Sequence, residues 1–285
     1  YYYAYLFFCG VVFFFLVAPL IAIIPISFSV SPFMVFTDEM LAWPPNPEAW
    51  SLRWYQNMIG NCSADVVSST VPCSNKWMIG TVNSFFIGFI ATFIATTLGT
   101  LAALGLSRPH MPYKGLIMAI LISPMIVPLI ITAAGMFFFY ARINLVYSFT
   151  GIILAHVALA TPFVVITVTA TLVGFDMNMV KAAQSLGARP VRTFFKVIMP
   201  LILPGVISGA LFAFITSFDE VVIVMFMGSL DQLTIPKQMW AGIRQEISPV
   251  ILCMATCLVI LSILLLTTVE LLRRRSEKLR GIKSR

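Results

Sequence analysis

Six long apolar runs, separated by short polar stretches, set the pattern along this chain of 285 residues. They cover 4–30, 77–106, 116–139, 149–173, 205–227 and 249–272. A helix needs roughly 20 mostly apolar residues to cross a bilayer, and each run meets that length. The runs are continuously apolar, whereas strands of a closed barrel alternate apolar and polar positions. The pattern therefore predicts an all-α polytopic membrane protein with six transmembrane helices. Pro124, Pro128 and Pro162 fall inside runs and predict bends, because proline removes a backbone bond. Gly80, Gly88, Gly99 and Gly105, with Thr92, Thr96 and Thr97, give the second run a small-residue surface suited to close helix packing. No internal repeat is visible, which weighs against an inverted-repeat carrier.

The polar remainder divides the chain. Residues 1–30 form a first transmembrane helix. Residues 31–76 form a long outer loop, marked by Pro44-Pro45-Asn46-Pro47. Inside it, Trp50-Ser-Leu-Arg-Trp-Tyr-Gln-Asn-Met58 reads as a short amphipathic helix. Its Trp50, Trp54 and Tyr55 suit an anchor at the membrane interface rather than a ligand site. Residues 77–272 form a membrane core with a polar loop at 174–204, and 273–285 a basic tail.

Composition agrees with a lipid-embedded chain. Hydrophobic residues make up 60% and charged residues 10%, against about 25% charged in soluble domains. The mean hydropathy is +0.98. A secretion signal is excluded for the first run by its length and by Pro19 and Pro25. The chain begins at Tyr1 without Met, so a short cytoplasmic leader is expected before a retained first helix. With the C-terminus placed inside, 13 of the 18 Lys and Arg residues fall on the cytoplasmic side and 5 on the other. Positive loops stay cytoplasmic, so both termini are expected inside. The net charge of +7 is then a topology signal, and no nucleic-acid partner is expected. The arginine-rich tail suits anionic headgroups of the bilayer.

Candidate chemistry is sparse. Cys9, Cys253 and Cys257 lie in apolar runs, where cysteine behaves as a small hydrophobe, and no metal site is expected. If the outer loop faces an oxidising compartment, Cys62 and Cys73 form a disulfide. The phosphate-loop pattern G-x(4)-G-K-[ST] is absent, and no nucleophile–base pair appears, so the chain is not expected to be an enzyme. Asp219 and Glu220 stand adjacent within the fifth run. Such carboxylates cost about 2.5–3.5 kcal/mol each in a membrane unless they meet partners or water. Adjacent helical residues point about 100° apart, so the two cannot face alike. One reading puts a carboxylate on a translocation path. The other has both bonded within the bundle, or capping a helix break at Thr216-Ser217. His156, Met225 and Met227 read as packing residues.

The stretch Lys181-Ala-Ala-Gln-Ser-Leu-Gly-Ala-Arg-Pro190, followed by Val197-Ile-Met-Pro-Leu-Ile-Leu-Pro-Gly205, predicts a short helix over 178–186. Gly187 supplies a left-handed cap and Pro190 starts the next helix. Ala182 and Ala183 leave room for another surface to approach the backbone. The stretch resembles the coupling loop E-A-A-x(3)-G-x(9)-I-x-L-P of type I ATP-binding-cassette importer permeases, with Lys181 where those have glutamate. Leu52-Arg-Trp-Tyr55, Asn83-Ser84, Ser217-Phe-Asp-Glu-Val-Val222, Gly242-Ile-Arg-Gln-Glu-Ile-Ser-Pro249 and Glu270-Leu-Leu-Arg-Arg-Arg275 extend the resemblance to the spermidine/putrescine-type branch. It is similar also to permeases for opines and related nitrogen compounds.

The resemblance implies a five-helix permease core plus an N-terminal helix in a bacterial inner membrane. It implies a second, homologous permease subunit, two ATPase subunits holding ATP and Mg, and a periplasmic substrate-binding protein. No cofactor is expected on this chain itself. Lys181, Ala182, Ala183, Ser185, Leu186, Gly187 and Arg189 become the ATPase-coupling residues, and Asp219 and Glu220 candidates for the path of a polyamine or related nitrogenous solute. The residues leave two other readings: an ion-coupled secondary carrier using Asp219, Glu220 and His156, and a membrane scaffold without a pathway.

Overall fold

The computed structural model describes residues 1–44, 46–61, 75–108, 110–176, 178–245 and 247–279. Helices α1 (Tyr2–Ile26), α2 (Asp38–Leu41) and α3 (Arg53–Met58) precede the long α4 (Lys76–Leu106). Then come α5 (Lys114–Ile126), α6 (Leu129–Arg142), α7 (Phe149–Val173), α8 (Asn178–Ser185) and α9 (Pro190–Thr193). The chain ends with α10 (Met199–Phe218), α11 (Val222–Met227), α12 (Ile235–Gln245) and α13 (Val250–Leu279). Among the described residues, five helical stretches are long and apolar enough to cross a membrane. A sixth follows if α5 and α6 count as one span broken by 103°. The all-helical polytopic expectation therefore holds, and the bend expected at Pro128 is sharp enough to break the third span. Val127 adopts an extended conformation (φ −71°, ψ 133°) because the Pro128 ring excludes the helical region for the residue before it.

The fifth span also differs from its apolar run. Helix enters at Pro190 and continues to Phe218, so the span begins within the stretch expected as polar loop and takes in Pro200 and Pro204. In a membrane helix such prolines are tolerated, because local adjustments take up the freed groups. Here a π-helical turn at Phe194–Ile198 precedes α10. At the other end the helix stops at Phe218, and α11 is a separate short piece.

The chain forms two compact units. One comprises residues 1–78 with 239–285, the other residues 79–238. In the first, an antiparallel bridge joins Ser29 to Trp50, and the Trp54 Nε1–H donates to the Ser29 carbonyl at 2.9 Å. The Arg53 guanidinium donates to the Val30 carbonyl and lies over the Trp54 ring, 4.4 Å from its centre. Tyr55 and Ser27 share a hydroxyl–hydroxyl bond of 2.7 Å. Trp54 is 0% exposed. It is thus a buried clamp on the end of α1 and not an interfacial anchor; only Trp50 of the pair keeps an exposed ring.

In the second unit, α7 is the centre. Ser148 caps its start by accepting from the Gly151 N–H at 3.1 Å. Ile152, Val164 and Val168 are fully buried. Thr161, Thr167 and Thr171 turn their hydroxyls onto carbonyls of the preceding turn, so they need no water. α10 is the main partner of α7, and Gly205 and Gly209 let the two helices meet closely. A Cβ at Gly209 would lie 3.0 Å from the Val164 Cα, and one at Gly205 would strike the Thr171 hydroxyl. This small-x(3)-small contact lies on the fifth span, in addition to the close-packing surface expected on the second. Of the second-span glycines, Gly99 abuts Val164, Gly88 abuts Phe214 and Gly80 abuts the backbone of Thr234. Gly105 abuts nothing.

Candidate functional site

The polar segment between α7 and α10 is built by local rules. The Asp176 carboxylate accepts from the Asn178 N–H at 2.9 Å and so starts α8, satisfying an N–H that the helix itself leaves free. At the far end the Ala188 N–H donates to the Ala183 carbonyl (3.0 Å) and the Gly187 N–H to the Gln184 carbonyl (2.9 Å). Gly187 has φ +80°. Together these form a Schellman cap, which places its C′ residue in the left-handed region. Arg189 then precedes Pro190, the first residue of α9.

Lys181, Ala182, Ser185, Gly187 and Arg189 are all exposed, and Ala183 is half-buried. Leu186 is 89% exposed. Ser185 turns its hydroxyl back to the Lys181 carbonyl at 3.0 Å, so it supports the helix from within.

Asp219 and Glu220 do not sit in mid-helix. They occupy the break between α10 and α11, one turn later than the break considered at Thr216-Ser217. The Glu220 carboxylate is buried and accepts from the Ile223 N–H at 2.8 Å, capping α11. Asp219 is exposed, and among the described residues no hydrogen bond or ion pair reaches its carboxylate. The two adjacent acids therefore have opposite environments. Below the break, the His156 Nδ1 and the Ser217 hydroxyl lie 2.8 Å apart and join α7 to α10. The His156 Nε2 is buried without a partner among the described residues. Met227 is buried in the core, whereas Met225 is exposed.

Sequence reasoning missed the polar clamp around residues 228–235. The Asn83 amide donates to the carbonyls of Asp231 (2.8 Å) and Leu233 (2.9 Å). Ser84 accepts from the Ile235 N–H at 2.9 Å. The Lys237 ammonium donates to the carbonyls of Val224 (3.2 Å), Gly228 (2.8 Å) and Ser229 (3.3 Å), meeting the carbonyl end of α11. Burial pulls the Lys237 pKa below the ordinary lysine value. The Asn83-Ser84 pair was visible as a motif, but its role needs the fold, because its partners lie about 150 residues away. The candidate disulfide pair Cys62 and Cys73 lies outside the described residues. Among the described residues, no group of His, Cys, Asp or Glu is arranged to hold a metal ion.

A multi-span helical bundle with an exposed, capped helix between two spans defines a polytopic membrane protein. Residues 95–278 match the family described as binding-protein-dependent transport system inner membrane component. The chain belongs to that family. It is 28% identical over 270 residues to the spermidine/putrescine transport system permease protein PotC of Haemophilus influenzae, covering 95% of this chain and 96% of that one. It is 28% identical over 250 residues to the putrescine transport system permease protein PotI of Escherichia coli strain K12, covering 85% and 80%. A bacterial ABC transporter involved in the import of the acidic polysaccharide alginate has the same fold. The TM-score is 0.68 at 14% identity, over 95% of this chain and 94% of that one. The chain is thus a multi-pass permease component of a transport system, not an enzyme, and such components work with partner subunits. The ion-coupled carrier and the pathway-free scaffold are set aside.

Proposed function

We propose that the chain forms half of the translocation pathway of an ATP-driven polyamine importer in a bacterial inner membrane, with both termini cytoplasmic. A second, homologous permease subunit completes the pathway, two ATPase subunits hold ATP and Mg, and a periplasmic binding protein delivers the solute. The observation that carries the coupling role is the bare C-terminal end of α8: Ala182, Leu186 and Gly187 are exposed where the helix is closed by its own capping bonds. A partner can seat there without competing for the backbone. Lys181 and Arg189 flank the seat with positive charge. Ala182→Trp adds bulk on an exposed helical position and leaves the fold alone. In the assembled complex it should release the ATPase or separate ATP hydrolysis from uptake. Gly187→Trp should do the same with added strain at φ +80°. Normal ATP-driven uptake by Ala182→Trp refutes the coupling role.

The substrate class rests on the names of the relatives and on Asp219. An exposed carboxylate with no partner on its own chain is free to meet a cation from outside it, and a polyamine supplies the cation. Glu220, engaged in capping α11, has the structural share of the pair. Asp219→Asn is expected to lower polyamine uptake with assembly intact, while Glu220→Gln keeps an acceptor for the Ile223 N–H and transports. Unchanged uptake by Asp219→Asn removes the pathway role.

A further inference from the structure

A cavity of about 790 Å³ lies behind α8, between that helix and the ends of α4 and α7. Arg108, His110 and Lys181 line it, and Leu104, Leu172 and Phe175 give it an apolar floor. All three basic side chains belong to exposed residues, and among the described residues none has a hydrogen-bond or ion-pair partner. Residues 104–198 contain a single acid, Asp176. Its carboxylate accepts from the Asn178 N–H and, among the described residues, forms no ion pair with any of the three.

We infer that this cavity binds the headgroup of an anionic phospholipid, with Arg108 and Lys181 on the phosphate and an acyl chain along the apolar floor. Three cationic or protonatable groups around an uncompensated space complement a phosphodiester. Basic pockets between spans on the positive side of a membrane protein suit such headgroups. The apolar floor, at the ends of two spans, favours a lipid over free phosphate. A protein docked on α8 would not fill the space. Val180, Lys181 and Gln184 line the cavity; at about 100° per residue Val180 and Gln184 lie across the helix from Ala182 and Leu186, and Lys181 lies between the two faces. The lipid would therefore support α8 from behind while its other face is engaged.

The test uses the full transporter, assembled with its partner subunits and washed with phosphatidylcholine. Phosphatidylglycerol retained per copy is counted by native mass spectrometry. The unaltered complex should retain phosphatidylglycerol in preference to phosphatidylcholine. Arg108→Gln and Lys181→Gln should each weaken retention about fivefold, the effect of one cation near a membrane surface. Arg108→Lys should restore it, and Lys114→Gln, a nearby cation outside the cavity, should change nothing. Equal retention of the two lipids, or retention untouched by Arg108→Gln in assembled complex, overturns the inference. Displacement of the lipid by inorganic phosphate would assign a free-anion site and overturn it too. The readout is bound lipid, so it is independent of whether α8 couples to an ATPase.

Discussion

Replacing Gly209 with alanine should loosen the contact between α7 and α10. The added Cβ would lie 3.0 Å from the Val164 Cα and 2.5 Å from the Thr167 Oγ1. Neither neighbour can yield cheaply. Val164 is fully buried and its Cα is backbone, so relief requires one helix to move. The Thr167 hydroxyl is tied to the Phe163 carbonyl at 2.9 Å, and rotating it away leaves an orphaned group in an apolar bundle. Overpacking of this kind costs about 1–3 kcal/mol, equivalent to a drop of roughly 2–12 °C in Tm for a chain of this size. The gain in helix propensity from Gly to Ala, about 1 kcal/mol, works in the opposite direction. Gly105→Ala isolates that gain, because nothing lies within 4 Å of its added Cβ. Thermal unfolding of the two variants side by side should show Gly209→Ala clearly below the parent and Gly105→Ala at or above it. Equal melting temperatures would refute the close approach of α7 and α10.

Two further outcomes follow from the polar clamps. Asn83→Ala removes donors from the carbonyls of Asp231 and Leu233, at a cost of about 1–3 kcal/mol. Hydrogen exchange across 228–235 should quicken, and unchanged protection would mean that the segment is held by other contacts. Trp54→Phe keeps the buried ring but loses the bond to the Ser29 carbonyl, worth about 1 kcal/mol, whereas Trp54→Ala should cost about 3–5 kcal/mol. Comparing the Tm of the two variants separates the hydrogen bond from the packing, and near-equal losses would reject the division.

What the sequence disclosed depended on the range of the interaction. The cap at Gly187 and the start at Pro190 were legible because a left-handed C′ residue and a first-turn proline are local requirements. The turn at Val127 was legible as a bend, since Pro128 acts on its immediate neighbour; its size of 103°, enough to break the span, was not. Two misreadings came from applying local rules where tertiary context wins. The fifth span begins at Pro190, within the stretch expected as loop, and the aromatic Trp54 is buried with its Nε1–H on the Ser29 carbonyl. The different environments of Asp219 and Glu220 were invisible because they follow from where α10 stops. Their chemistry was legible; the break that separates them was not.

The unbroken helix from Pro190 to Phe218 has a mechanical consequence. Its 29 residues span about 43 Å, with the capped α8 at one end and Asp219 at the other. Gly205 and Gly209, where α10 presses closest on α7, sit between these ends like a fulcrum. Were this rod to tilt by about 10° there, its Asp219 end would swing about 3 Å and its Pro190 end about 4 Å the other way. A push at one face would thus reach the opposite face as motion of reversed sign. Spin labels near the two ends should keep a constant separation through an ATP cycle while each changes its distance to α7. A change in the end-to-end distance would mean that the helix bends and is not a lever.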